Sequence, residues 1–484
     1  MVKNNLKQKA LTGVIWSAFQ KYSTMFIRFI SGIILARLLT PHDYGCIGML
    51  AIFMVIAEVF IDGGFGSALI QKKNPTQADY STIFFWNIGM AILMYVILYV
   101  ASPSIASFYN MPLLCDVLRV QGIVLFVYAF NIVQSSLLRK KMNFKLLGIV
   151  TVATSVISLL VTIMMAYHEY GVWSLVAQNI ITGFIPAVVF WYYVKWRPQF
   201  NFSYQSFRQL FGFGFYMFLT NLLNRFERQI QGLLIGKVYD ASTMGYYSKA
   251  YALERLSSTS ITQVMTQVTY PLYAEMQDNR AALVNTIRRL TMTLSFITFP
   301  LMFILILCAK PLFIILYSDR WIDSVPYFQV LCLAGLAYCL QSANNQSVAA
   351  IGKSKVMFAW TVFKRVIGIS LIVLGVYLYG MKGLMAGVIL NTWVSYFVNI
   401  CVVSKYVGYK WWRQLIDLFP VFAASLIAAI VSYISVSFIH VGLYLDGIFK
   451  FLVYLLMYLG WSFLFKPEAY TYAKMNVFSI LKKK

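Results

Sequence analysis

Apolar stretches of about 20 residues, long enough as helix to cross roughly 30 Å of hydrocarbon, recur from one end of the chain to the other between short polar connections. The pattern predicts helices near residues 14–38, 46–70, 81–106, 117–138, 146–167, 171–194, 209–236, 246–271, 289–315, 325–349, 358–379, 383–404, 414–438 and 444–465. About fourteen such spans make the expected fold class an all-α polytopic membrane protein.

Composition agrees with the pattern. Of 484 residues, 60% are hydrophobic and 12% charged, with a mean hydropathy of +0.71; soluble domains hold only about 45–50% apolar residues. The net charge of +24 is spread as small clusters in alternate connections. One set, with both termini, carries Lys72 and Lys73; Arg139, Lys140 and Lys141; Lys195, Arg197 and Arg208; Arg280, Arg288 and Arg289; Lys405, Lys410 and Arg413; and Lys482, Lys483 and Lys484. The other set has little beyond Lys237, Arg320 and Lys382. By the positive-inside bias both termini are expected in the cytoplasm. A charge so distributed does not read as a nucleic-acid site. The basic start is followed by an apolar run broken by Lys21 and Arg28 without a small-residue cleavage site, so it reads as a retained first helix. The six cysteines form no CxxC or Cys/His pair at ligand spacing, and no metal or cofactor is expected.

The chain repeats itself. Slid by 200 residues, Phe26, Arg28, Ile30 and Gly32 fall on Phe226, Arg228, Ile230 and Gly232, and Gly45 falls on Gly245. Further on, "YGVWSLVA" from Tyr170 lies over "YGMKGLMA" from Tyr379, an offset of 209. The expected organisation is a first lobe of six helices over 1–200, a second over 201–404, and two further helices with a basic tail over 405–484. An even number of helices per copy makes the repeats parallel, related by an axis along the membrane normal.

The repeat gives meaning to charges inside two of the spans. Ser17, Lys21, Thr24, Arg28 and Ser31 recur at spacings of four and three, so they share one helix face. Asn221, Asn224, Arg228 and Gln231 stand 200 residues on from Lys21, Thr24, Arg28 and Ser31, with Arg225 beside them. The next helix adds Arg255. An intramembrane charge facing lipid costs about 2.5–3.5 kcal/mol. Two readings follow: a structural ion network with Glu58, Asp62 or Glu227, or a water-filled basic cavity between the lobes. Lys21, Arg28, Asn221, Asn224, Arg225, Arg228, Gln231 and Arg255 are the candidate substrate-binding residues. Arginine forks match phosphate oxygens, and the amides suit sugar hydroxyls, so the cavity favours a phosphorylated glycan carrier over a drug cation. Glu58, Asp62, Glu227 and Glu254 are candidates for proton or cation coupling.

"LARLLTPHDYG" (Leu35–Gly45), "DGGFGSALIQKK" (Asp62–Lys73) and "YGVWSLVAQ" (Tyr170–Gln178) resemble the opening half of the bacterial lipid-linked oligosaccharide flippases. These are the Wzx-type polysaccharide transporters of the MOP superfamily, and the resemblance is nearest to the colanic-acid-exporter-like subgroup. It is strong to about residue 200 and continues as pattern and helix count beyond. It implies a V-shaped transporter of two lobes that moves undecaprenyl-diphosphate-linked repeat units from the cytoplasmic to the periplasmic leaflet. The surface polysaccharide so supplied would be an O-antigen, a capsule or an exopolysaccharide. It also implies a proton or sodium gradient or the membrane potential as driving force, and a polysaccharide polymerase and chain-length regulator as partners beside the membrane lipid. Related multidrug exporters place acids in the first helix, whereas this chain has Lys21 and Arg28 there and no acid before Asp43.

Two rival functions stay open at this stage: export of drugs or other lipid-linked substrates, and a membrane-embedded glycan polymerase or ligase. The enzyme reading lacks a large outer loop, and His42, His168 and His440 fall in separate connections without a nucleophile or an acid/base set. "AAIGKSK" near Lys353 has Ser347 where a phosphate-binding loop requires glycine, and it reads as a helix connection.

Overall fold

The computed structural model describes residues 2–276, 279–351, 353–437 and 442–481; His440, Lys482, Lys483 and Lys484 lie outside them. The chain packs as two compact units, Met1–Gly245 and Tyr246–Lys484. The first holds α1 (Val2–Leu38), α2 (Pro41–Asp62), α3 (Phe65–Gln71), α4 (Gln77–Phe108), α5 (Leu113–Gln121), α6 (Ile123–Lys140), α7 (Phe144–Tyr167), α8 (Val172–Val194) and α9 (Tyr204–Val238). It also holds the first turn of α10 (Ala241–Glu275), which continues into the second unit. There follow α11 (Arg280–Leu307), α12 (Ala309–Tyr317), a 3₁₀ turn (Asp319–Trp321), α13 (Ser324–Ala350), α14 (Ser354–Tyr406), α15 (Trp411–Ser437), α16 (Leu443–Phe465) and α17 (Glu468–Leu481).

The protein is an all-α polytopic membrane protein. Ten helical segments among the described residues are long and apolar enough to cross a membrane. One of them, in α14, is two arms that meet at non-helical Tyr379 and Gly380. The helices that miss the apolar criterion are instructive. At 37, 35 and 35 residues, α1, α9 and α10 have ample length, and they carry the polar stripes.

Glycine explains where the predicted spans break. The helix expected over 46–70 is two pieces, because Gly63 and Gly64 adopt left-handed φ of 53° and 76° that a side chain resists. Asp62 accepts the Gly66 N–H at 3.2 Å and so caps α3. At the other end of α3, the Lys140 ammonium donates to the carbonyls of Leu69, Ile70 and Lys72, a favourable placement of a cation at a helix C-terminus.

The repeat is visible in the backbone. Gly171 has φ 54° and ψ −127°, and its counterpart 209 residues on, Gly380, has φ 57° and ψ −133°. Only glycine takes that conformation readily, so each copy needs it at the same turn. The start of the second helix is also built alike in both copies. Thr40 and Asp43 form a reciprocal capping box, with the Asp43 N–H donated to Thr40 Oγ1 at 3.3 Å and the Thr40 N–H to Asp43 Oδ2 at 2.9 Å. Two hundred residues on the order is reversed, and Asp240 Oδ1 accepts the Thr243 N–H at 2.7 Å. That bond holds the exposed Asp240 carboxyl below the usual carboxylate range. Its contribution to stability is therefore present above the unfolded-state pKa and lost as pH falls through the lower folded one. Asp240→Ala should cost about 1 kcal/mol, read as a lower melting temperature of the purified protein, and Asp240→Asn should restore most of it.

These first turns meet each other within the first unit. A Cβ on Gly45 would lie 1.7 Å from the Ala241 carbonyl oxygen, and one on Gly245 would lie 1.8 Å from that of Pro41. Pro41 and Ala241 are themselves 200 residues apart, so the contact is reciprocal, as in an isologous dimer interface. Apolar helices gain nothing hydrophobic from each other in lipid and must pack by close backbone approach; glycine in both copies permits it.

The connection over 195–203 is a strap, not a slack linker. Gln77 Nε2 donates to the Arg197 carbonyl at 2.7 Å and Trp196 Nε1 to Gln77 Oε1 at 2.6 Å. The N–H groups of Gln199 and Ser203 are donated to the hydroxyls of Ser81 and Thr82, each at 3.0 Å. The strap delivers α9 onto α2, α3 and α4. Leu210 joins the buried cluster of Phe65, Leu69, Ile83 and Phe84, and a Cβ on Gly64 would meet the Gly214 carbonyl at 2.2 Å. The first helix of the second sequence copy thus packs with the first unit, so the repeat and the packing units divide the chain at different places.

In the second unit Arg288 of α11 ties two later helices down. Its guanidinium bonds Asp417 in bidentate fashion at 2.8 Å and 2.8 Å and Glu468 at 2.8 Å. Tyr409, whose hydroxyl is pushed far above its ordinary value by burial, donates to Asp417 at 2.6 Å. Asp417→Ala leaves the Tyr409 phenol without its acceptor and the Arg288 guanidinium with Glu468 alone, and should cost about 2–3 kcal/mol. Thermal unfolding in detergent should show it, with a smaller loss for Glu468→Ala because that carboxylate is 56% exposed.

Candidate functional site

The two polar stripes lie on helices that the fold treats differently. α1 packs on α7, where Gln20 Nε2 donates to Thr151 at 3.1 Å. Thr24 turns its hydroxyl onto the Gln20 carbonyl, and Ser31, 6% exposed, accepts from Gln178 of α8 at 3.2 Å. The Ser31 end of the α1 stripe is therefore used for packing, whereas Lys21 is half-buried and Arg28 exposed.

On α9, Asn221 and Arg225 form one line and Asn224 and Arg228 the neighbouring one, each pair four residues apart. Asn221, Asn224, Glu227 and Gln231 are half-buried, while Arg225 and Arg228 are exposed. Arg225 lies within electrostatic reach of both Glu58 and Asp62 of α2. Arg139 of α6 also acts on Asp62, and Tyr128 of α6 feels all four charges. Two acids and two guanidinium groups thus share one place in the first unit. Of the two exposed arginines, Arg225 is the one within electrostatic reach of the α2 acids.

Arg255 and Glu254 belong to the second unit. Glu254 is 3% exposed and faces α13 where Gly335 leaves room; a Cβ there would lie 2.8 Å from Glu254 Oε1. Arg255 is 3.7 Å from Glu254. Its guanidinium lies over the rings of Tyr338 and Tyr251, 4.1 Å and 5.0 Å from their centroids, an arrangement that keeps a planar cation presented edge-on. Asp62, which caps α3, has a structural task that spacing did not reveal.

The sequence reading missed three intramembrane cations. Lys249 of α10 is 5% exposed and packs 5.2 Å and 5.4 Å from the centroids of Tyr317 and Trp321. Its counterpart, Met49, gave no hint of charge. Lys364 and Arg365 sit in the first arm of α14. Both were legible as charges within a span, but neither lies on a stripe that recurs in the first copy.

Nothing in this geometry resembles a catalytic constellation, and among the described residues no His, Cys, Asp and Glu group could hold a metal. The family model described as "Polysaccharide biosynthesis protein" matches residues 34–326, more than half of the chain. The chain belongs to the polysaccharide biosynthesis protein family. It is 25% identical to the Bacillus subtilis teichuronic acid biosynthesis protein TuaB over 74% of each chain. To the Escherichia coli lipopolysaccharide biosynthesis protein WzxC it is 22% identical over 89% of this chain and 88% of that one. Among solved structures, the lipid II flippase MurJ in an inward closed conformation superposes with a TM-score of 0.73, covering 93% of this chain and 98% of MurJ, at 16% identity. At that identity the likeness shows the fold alone.

Proposed function

We propose that the protein is a flippase for lipid-linked polysaccharide repeat units, carrying an undecaprenyl-diphosphate-linked oligosaccharide from the cytoplasmic to the periplasmic leaflet of a bacterial inner membrane. Membership of the polysaccharide biosynthesis family supports it, as do the relatives named for teichuronic acid and lipopolysaccharide biosynthesis and the fold shared with a lipid II flippase. The observation that carries the reading is the placement of Arg28 and Arg228. They stand at equivalent positions of the two copies, deep in helices of membrane-spanning length, and both are exposed. Facing hydrocarbon, such residues would each cost about 2.5–3.5 kcal/mol; facing a hydrated path, they stabilise a diphosphate by charge-assisted hydrogen bonds.

The roles divide accordingly. Arg28 and Arg228 grip the diphosphate or acidic sugars, with Lys21 adding charge, and Arg255 is a candidate substrate contact of the second unit. Asn221, Asn224 and Gln231 hydrogen-bond the glycan, and Arg225 serves mainly as the counter-charge of Glu58 and Asp62. The two sequence copies act as the two lobes of an alternating-access transporter, 1–200 and 201–404, with 405–484 appended and both termini in the cytoplasm. No covalent chemistry is required, so the protein is a transporter and not an enzyme. With the cell interior negative, each negative charge carried outward gains about 2.3 kcal/mol per 100 mV, so the membrane potential can contribute to export. Among the coupling candidates Glu58, Asp62, Glu227 and Glu254, Glu254 is the one the fold buries most completely. A polymerase and a chain-length regulator are the expected partners on the periplasmic side.

The reading is tested by expression in a strain that lacks its own repeat-unit exporter and makes a related glycan. Surface polysaccharide should return; normal abundance of the protein with no surface polysaccharide across several such hosts would count against it.

A further inference from the structure

The hairpin made by the two arms of α14 contains a polar seam that the roles above do not use. Asn391, Ser395 and Asn399 recur every four residues on the second arm and so form one line. Asn391 and Asn399 are 9% and 5% exposed, and the Ser395 hydroxyl donates to Asn391 Oδ1 at 3.5 Å. The first arm meets this line with two residues one turn apart. Gly368 has no Cβ where one would lie 2.2 Å from Asn391 Oδ1, and the Lys364 ammonium donates to Asn399 Oδ1 at 2.6 Å. Arg365 follows directly, and both cations are half-buried.

Their depth and surroundings make a purely structural tie an incomplete account. Lys364 lies ten residues into α14, about 15 Å along it, and neither α13 nor α14 contains Asp or Glu. Asn399 Nδ2, on the side chain that receives the lysine, is buried with no hydrogen-bond partner among the described residues. Adjacent α13 adds Asn344, fully buried with neither amide atom bonded, one turn from Gln341, whose Nε2 donates to the Thr392 carbonyl at 3.0 Å. Cations and amide N–H groups are the donors that an oxyanion takes, and ionisable residues at such depth mark functional sites far more often than incidental ones.

We propose that Lys364 and Arg365, with the amides of Asn391 and Asn399, form an oxyanion-binding subsite in the second unit, separate from the stripes of α1 and α9. Its ligand is a carboxylate or phosphate group, borne either by the glycan of the transported unit or by a phospholipid headgroup. The inference deepens the transport reading and rests on it for the ligand's origin.

The test uses the purified full-length protein in detergent, titrated with two soluble probes and followed by melting temperature and calorimetry. One probe is the methyl glycoside of glucuronic acid, with methyl glucoside as its neutral control. The other is a short-chain phosphatidylglycerol, with the matching phosphatidylcholine as control. The wild type should bind at least one acidic probe saturably and prefer it to its control, and the probe that binds identifies the source. Lys364→Met with Arg365→Gln should weaken that binding tenfold or more, whereas Lys364→Arg with Arg365→Lys should restore it. If the double variant melts before the measurement, Arg365→Gln alone, which leaves the bond to Asn399 in place, should still weaken binding severalfold. Wild-type protein that binds neither acidic probe, or a folded double variant that binds like the wild type, overturns the proposal. Loss of probe binding in the double variant of a protein that restores no polysaccharide would leave the subsite standing and remove the transport reading instead.

Discussion

Gly245→Ala should prise apart the first turns of α2 and α10 and expose the thiol of Cys46. The added methyl would fall 1.8 Å from the Pro41 carbonyl oxygen, and Gly45→Ala would place one 1.7 Å from that of Ala241. Both obstacles are backbone, so no rotamer change relieves them and the helices themselves must shift. Overpacking of this kind typically costs about 1–3 kcal/mol, which raises the population of the separated arrangement by roughly 5- to 150-fold. Cys46 follows Gly45 directly and is fully buried, so a thiol reagent reaches it only when the contact opens. Its labelling by a maleimide in native membranes, quantified on the Cys46 peptide by mass spectrometry, should therefore accelerate at least tenfold in either variant, and transport should fall with it. Gly32→Ala is the internal control, since a Cβ there meets nothing within 4 Å. Equal labelling rates in Gly32→Ala, Gly45→Ala and Gly245→Ala would show that the reciprocal contact is not what closes this end of the helices.

The second large effect is expected from the paired arginines. Arg28→Ala and Arg228→Ala should each reduce export of lipid-linked units roughly 10- to 150-fold, because losing a charge-assisted bond to a diphosphate removes about 1.5–3 kcal/mol. Protein abundance and melting temperature should stay near those of the wild type, since both side chains are exposed. Lysine at either position should recover part of the activity as a point charge without the bidentate fork. Arg225→Ala should behave in the opposite way. It removes the cation that acts on Glu58 and leaves Asp62 with Arg139 alone, so the loss should appear first in stability and only secondarily in transport.

The span pattern was legible in the sequence because apolar runs of membrane length have few alternatives. The repeat was legible because backbone needs are written as glycines: Gly45 with Gly245 for close approach, and Gly171 with Gly380 for a conformation that other residues avoid. What escaped the sequence was partner choice. Spacing put Arg225 and Arg228 side by side, but only the seating of α9 on α2 brings Arg225 within electrostatic reach of Glu58 and Asp62. That seating depends on the strap over 195–203 and on Gly64 against Gly214, contacts between positions well over a hundred residues apart. The break at Gly63 and Gly64 likewise gives Asp62 a helix to cap, a task that spacing alone does not show. Lys249, Lys364 and Arg365 were overlooked because the search followed what the two copies share, and each of these cations is present in one copy alone.

The central claim is best tested by transport itself. Purified protein reconstituted into liposomes, with a fluorescent undecaprenyl-diphosphate oligosaccharide in both leaflets, allows the outer pool to be converted by an added glycosidase and the inner pool to be followed as it arrives. The account predicts rapid conversion of the full pool with wild-type protein and conversion of only the outer half with Arg28→Ala plus Arg228→Ala. Full conversion by the double variant at the wild-type rate would contradict it.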